Sequence, residues 1–137
     1  MLDLVLIFAL RVWGSEPDAA VPQWLRALDD PYIGQALLIM HEHPDHRWTV
    51  DELAHRVGLS RASFAKRFNA RLGVPPLSYL TDWRLQVAAD LLRSSSMPLA
   101  AIAKRVGYGS AFAFSAAFKR RYGQPPRAFR DLVDGES

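Results

Sequence analysis

Two sets of residues in this 137-residue chain have types and spacings that could do chemistry. The first is His41-Glu42-His43-Pro44-Asp45-His46, rich in the imidazole and carboxylate groups that bind zinc. Its spacing argues against a metal site. His41 and His43 point to different sides of a helix, Pro44 breaks that helix, and no H-E-x-x-H pair lies on one face. The plainer reading is a polar helix end and loop, where imidazoles are favourable near the negative helix C-terminus. No metal or cofactor is expected. The second set is a series of hydrogen-bond donors: Ser60, Arg61, Lys66 and Asn69, then Ser110 and Lys119. A lysine can donate to guanine O6 and N7, and an asparagine amide can reach adenine or phosphate. Nucleophilic catalysis has no foothold. There is no cysteine, no G-x-S-x-G and no phosphate-binding glycine loop, so no enzyme is expected.

The donors of the second set sit in a repeated phrase. LAHRVGLSRASFAKRFNARLGVPPLSY, Leu53 to Tyr79, is echoed by IAKRVGYGSAFAFSAAFKRRYGQPPRAF, Ile102 to Phe129. Ala54, Arg56, Val57 and Gly58 fall on Ala103, Arg105, Val106 and Gly107. After one extra residue in the second turn, Ser60, Phe64, Phe68, Arg71, Gly73, Pro75 and Pro76 fall on Ser110, Phe114, Phe118, Arg121, Gly123, Pro125 and Pro126. Eleven identities in order mark a duplicated unit. Each copy reads as a short helix ending at Gly58 or Gly107, a tight turn, and a second helix capped by Ser60 or Ser110. Phe64 and Phe68, or Phe114, Phe118 and Tyr122, recur every four residues as a buried stripe. Two helices around a glycine-containing turn make a helix-turn-helix, whose second helix can enter a DNA major groove.

Other elements must hold these units. Asp30 as N-cap and Pro31 at the first helical position open a helix with Ile33, Leu37, Leu38 and Met40 as its apolar stripe, closed by Pro44. Thr49 and Glu52 form a capping box for the first motif helix. Gly73, Pro75 and Pro76 separate the first recognition helix (60–72) from a connecting helix, Leu77 to Arg93. In that helix Leu80, Trp83, Leu85, Ala88, Leu91 and Leu92 read as core, and Arg84 as a buried cation with an acid or carbonyl partner. Pro98 opens the second unit at a first helical position, the second recognition helix is 110–122, and Pro125-Pro126 starts a short helix through Arg130. Upstream, Met1 to Trp13 is apolar but far short of the ~20 residues of a membrane span. Asp3 also stands where a secretory signal would be positive. The stretch reads as a docking helix, followed by a polar linker, Gly14 to Pro22, and a helical turn, Gln23 to Asp29. The expected organisation is an N-terminal helix and linker (1–22), a first helix-turn-helix subdomain with the connecting helix (23–93), a second subdomain (94–130), and an acidic tail (131–137) that frays.

Half of the chain is hydrophobic, enough for a core. The lack of cysteine excludes disulfides and thiolate metal sites and fits a reducing cytosol, so a cytoplasmic location is expected. The net charge of +3 hides an uneven distribution: −5 over residues 1–46, +11 over 47–130 and −3 over 131–137. Positive charge concentrated on the repeated units is the footprint of phosphate binding; alone, it would also fit a solvated basic surface.

The pair of units resembles the DNA-binding domain of the AraC family of transcription regulators. The match is closest over IAKRVGYGS, Phe114, Phe118-Lys119, Gly123, Pro126 and Arg130, while YLTDWRLQVAADLL fits the family's connecting helix through Arg84, Ala88 and Leu91-Leu92. The resemblance spans roughly residues 32 to 130. It implies an all-α fold of two helix-turn-helix subdomains joined by a long connecting helix. It also implies sequence-specific binding of double-stranded promoter DNA through two successive major-groove segments, with RNA polymerase as a further partner such a regulator can have. In family members with an N-terminal cupin-like sensor domain, a helix and linker join sensor to DNA reader. With no sensor preceding it, the chain looks like a fragment whose 1–13 helix serves a sensor domain or a second chain.

Carried over residue by residue, the family pattern puts Ser60, Arg61, Ala62, Ala65, Lys66 and Asn69 of the first recognition helix toward DNA, with Lys66 the best candidate for reading a base. Arg67 is either a phosphate contact or purely structural. The second helix presents Ser110, Ala111, Phe112, Ala113, Ser115, Ala116 and Lys119. It departs from the family by having few hydrogen-bonding groups there. Either small apolar side chains read thymine methyls by contact, or this unit anchors through Lys119, Arg120, Arg121 and Arg127 while the first unit reads sequence. The second alternative is favoured. The rival to both is a helical protein-interaction module with only non-specific DNA affinity.

Overall fold

The structure, a computed structural model, describes residues 29–135. The docking helix expected at Met1 to Trp13, the linker from Gly14 to Pro22, and the turn from Gln23 up to residue 28 lie outside the described residues, as do 136 and 137. The all-α class implied by the resemblance is the class of the fold. Among the described residues there are seven helices and no strand: α1 (Pro31–Glu42), α2 (Val50–Val57), α3 (Arg61–Leu72), α4 (Pro76–Ser94), α5 (Leu99–Arg105), α6 (Ala111–Tyr122) and α7 (Pro126–Gly135). None of these helices is long and apolar enough to cross a membrane. The chain divides into two compact units. The described part of one comprises 29–43 and 48–79, and that of the other comprises 44–47 and 80–135. Helix α4 therefore gives residues 76–79 to the first and the rest to the second.

In the first unit, the Asp30 carboxylate accepts the Tyr32 and Ile33 amides at 3.0 and 3.3 Å, with Pro31 opening α1. Ile33, Ala36, Leu37 and Met40 are fully buried. Leu38, expected in the same stripe, is 43% exposed, because one step of helix rotates it away from Leu37 toward solvent. Thr49 accepts the Glu52 amide at 3.0 Å and starts α2, which buries Leu53, Ala54 and Val57. Gly58 ends α2 in a left-handed conformation (φ 81°), and Ser60 caps α3 by accepting the Ser63 amide at 3.1 Å. Phe64, Phe68 and Leu72 form the inner stripe of α3, and the Phe68 ring meets Tyr79 edge-on at 5.7 Å.

The second unit repeats this plan. Ser110 caps α6 by accepting the Ala113 amide at 3.0 Å, Phe114 and Phe118 are fully buried, and Phe129 meets Phe118 edge-on at 5.3 Å. Phe129 thus occupies in this unit the place of Tyr79 in the other. Trp83, Leu85, Val87, Ala88 and Leu92 of α4 and Ile102, Ala103 and Val106 complete the core. Arg84 takes two carbonyls: its Nε donates to Pro44 at 2.7 Å and an Nη to His46 at 2.8 Å. Those bonds help attach 44–47 to this unit although the segment lies between α1 and α2 in sequence.

Two expected boundaries move. Pro98 is the extended residue before α5 (φ −60°, ψ 150°) rather than its first helical residue. The final helix does not stop at Arg130 before a fraying tail but continues to Gly135. Buried Phe129 and half-buried Val133, four apart, extend its apolar side. Arg130 meanwhile donates to the Leu92 and Ser95 carbonyls at 3.3 and 3.2 Å, closing the end of α4.

Candidate nucleic-acid interface

The inner stripes of α3 and α6 determine what faces outward. With Phe64, Phe68 and Leu72 inside, α3 leaves Ala62, Lys66 and Asn69 exposed on one line at spacings of four and three. With Phe114 and Phe118 inside, α6 exposes Phe112, Ala116 and Lys119 at the equivalent positions. The remaining candidates flank these lines: Ser60, Arg61, Ser110 and Ala113 are exposed, while Ala65, Ala111 and Ser115 are half-buried. The two lines share geometry and differ in chemistry. In α3 a small residue precedes a cation and an amide; in α6 an aromatic ring precedes a small residue and a cation.

The structure also sorts the cations. Arg67 pairs with Asp30 at 3.1 Å and stacks over Tyr32 at 4.9 Å, contacts that give it a structural role in the first unit. Burial works against the Asp30 carboxylate, but the Ile33 amide, Arg67 and the Tyr32 amide outweigh it and hold its pKa below the usual range. Arg71 pairs with Asp29 at 3.1 Å and lies 3.8 Å from Asp30. Its counterpart Arg121, expected among the anchoring cations, lies 3.5 Å from Asp82 and stacks on Tyr122. Arg93 lies over Phe129 and Arg56 over Trp48. Arg61 approaches Asp51 at 3.4 Å, both highly exposed, so that pair is weak and easily exchanged for another anion. Lys66, Lys104, Arg105, Lys119, Arg120 and Arg127 are exposed.

The histidine-rich stretch is distributed differently from the sequence expectation. His41 does lie in the last turn of α1, but its ring turns inward and is not a solvated cation held by the helix dipole. It is 1% exposed, its Nε2 lies 2.6 Å from the Tyr79 hydroxyl, and the two rings stack. Burial pushes its pKa down to about 3 and pushes the Tyr79 phenol well above its ordinary range, so the pair is a neutral imidazole beside a neutral phenol. His43 ends α1 and its carbonyl accepts the Trp48 indole N–H at 2.9 Å, while the His46 carbonyl serves Arg84. Among the described residues, no group of three or more His, Cys, Asp or Glu side chains is arranged to hold a metal.

Comparison with known proteins agrees with this geometry. A family described as a helix-turn-helix domain matches residues 53–131. A Streptomyces antibioticus protein described as an AraC-like transcription regulator is 47% identical over 127 residues, 93% of this chain and 42% of its own length. The RCS-specific HTH-type transcriptional activator RclR of Escherichia coli is 41% identical over 125 residues, 91% of this chain and 44% of its own. The chain thus spans less than half the length of these curated relatives. Among solved structures, the DNA-binding domain of AdpA, a global transcriptional factor crystallised with a target DNA, superposes with a TM-score of 0.72 at 30% identity. That match covers 75% of this chain and 93% of the other.

Proposed function

The chain belongs to the AraC family of helix-turn-helix transcription regulators, and from that membership we propose that it binds promoter DNA sequence-specifically through α3 and α6. The observation that carries this reading is the pair of matching outward lines, Ala62–Lys66–Asn69 and Phe112–Ala116–Lys119, each on the second helix of a helix-turn-helix. Lys66 reads a base and Asn69 supports it at adenine or phosphate. Lys119, Arg120 and Arg127 hold phosphates, which supply affinity irrespective of sequence. Ser60 and Ser110 set the starts of the two helices.

Selection from a random duplex library at moderate salt tests this directly. Two enriched blocks about ten base pairs apart are expected of two units reading neighbouring groove segments. Lys66→Ala is expected to lower the preference for selected over scrambled duplex by about 1–3 kcal/mol. Lys119→Ala is expected to weaken both duplexes alike and reduce the slope of log K against log salt by about one. Equal losses on both duplexes for Lys66→Ala would remove it from the reading position. Binding without enrichment that fades as salt rises would leave a non-specific phosphate binder.

A further inference from the structure

One aromatic ring of α6 stands outside the core of its unit. Phe112 is 85% exposed, the most exposed of the large hydrophobic residues described, at the second position of a helix whose other phenylalanines, Phe114 and Phe118, are fully buried. Ala116 and Lys119 follow it on the same outward line. Ala116 ends at Cβ, where the equivalent position of the first unit carries the long side chain of Lys66. The surroundings are basic, with Lys104, Arg105, Lys119, Arg120 and Arg127 all exposed in the same unit. An exposed apolar residue in a unit that also exposes these five cations suits an anionic partner that presents an apolar group. In the DNA major groove that group is the C5-methyl of thymine; the other base edges there offer donors and acceptors.

We propose that Phe112 and Ala116 form an apolar reader that selects thymine in the groove segment facing the second unit. This rests on the DNA-binding reading above and deepens it: the second helix specifies bases by methyl contact while Lys119 and its neighbours hold the phosphates. The first helix reads by hydrogen bonding and the second by apolar contact, so the duplicated units differ in the chemistry of one line.

The test removes only the methyl groups. The selected duplex is compared with an analogue carrying deoxyuridine in place of each thymine of the block facing the second unit, both titrated with the full chain. The wild-type chain is expected to lose about fourfold in affinity per contacted methyl. Phe112→Ala is expected to bind the thymine duplex as weakly as wild type binds the deoxyuridine one and to be indifferent to the replacement. Its thermal unfolding midpoint should match wild type, since the ring is exposed. A wild-type chain that prefers selected over scrambled duplex yet ignores the replacement would overturn the methyl reader and leave the DNA reading standing. So would a Phe112→Ala variant as sensitive to the replacement as wild type. No preference for the selected duplex at all would overturn the DNA reading, and this inference with it.

Discussion

At the scale of single residues, the buried His41–Tyr79 pair shows how a local reading can misplace a side chain. Periodicity alone places His41 four residues after Leu37, within the buried stripe of α1, but its partner lies 38 residues further along the chain, beyond the reach of any local pattern. The consequence is a pH dependence of known sign. The folded-state pKa of about 3 lies below the ordinary value of 6.5, so between these limits the unfolded chain binds more protons than the folded one. The stability contributed by a neutral His41 is fully present above about pH 6.5 and is lost progressively as pH falls toward 3, at up to about 1.4 kcal/mol per pH unit. Urea unfolding across this range should show that slope in the wild-type chain, and His41→Gln should flatten it. An unchanged slope in the variant would place the dependence on another group. The same lesson applies to cations: Arg67 and Arg71 read locally as DNA contacts or repeat markers, and only the fold brings Asp29 and Asp30 to them.

At the scale of elements, what depends on neighbours a few residues away was legible. Thr49, Ser60 and Ser110 cap the helices they were expected to cap, since a cap is made within three residues. The outward lines of α3 and α6 follow from the phenylalanine spacing. The start of α5 and the end of α7 were not legible, because packing in the second unit sets how far they run. The two motif glycines make this contrast measurable. Gly58 and Gly107 both have positive φ, 81° and 94°, where a side chain costs about 1–2 kcal/mol. A Cβ on Gly58 would meet nothing within 4 Å, whereas one on Gly107 would lie 2.8 Å from the Pro44 carbonyl oxygen and 3.1 Å from the Arg84 guanidinium. Gly58→Ala should therefore cost about 1 kcal/mol. Gly107→Ala should cost on the order of 3 kcal/mol or more, because a backbone oxygen must give way. Similar losses in chemical denaturation would show that the 44–47 segment yields easily.

At the scale of the molecule, the duplication is legible as eleven identities, but the way each copy is finished is not. Tyr79 closes one aromatic cluster and Phe129 the other, and Arg71 and Arg121 find acids from unrelated parts of the chain. The second unit also includes four residues, 44–47, borrowed from between α1 and α2. A chain restricted to residues 80–135 lacks both carbonyls that Arg84 uses and should be less stable than the full chain, by roughly the 1.5–3 kcal/mol expected for each lost hydrogen bond to a charged group, with a lower melting midpoint. Circular dichroism of fragment and full chain would measure the difference; equal midpoints would make the borrowed segment dispensable. Because Arg84 holds backbone oxygens and not side chains, the constraint falls on the path of that short loop more than on its spelling. In chimaeras between relatives, then, the loop should accept foreign letters but resist insertion or deletion, and a crossover placed at the apparent seam near residue 80 would inherit a socket without its plug.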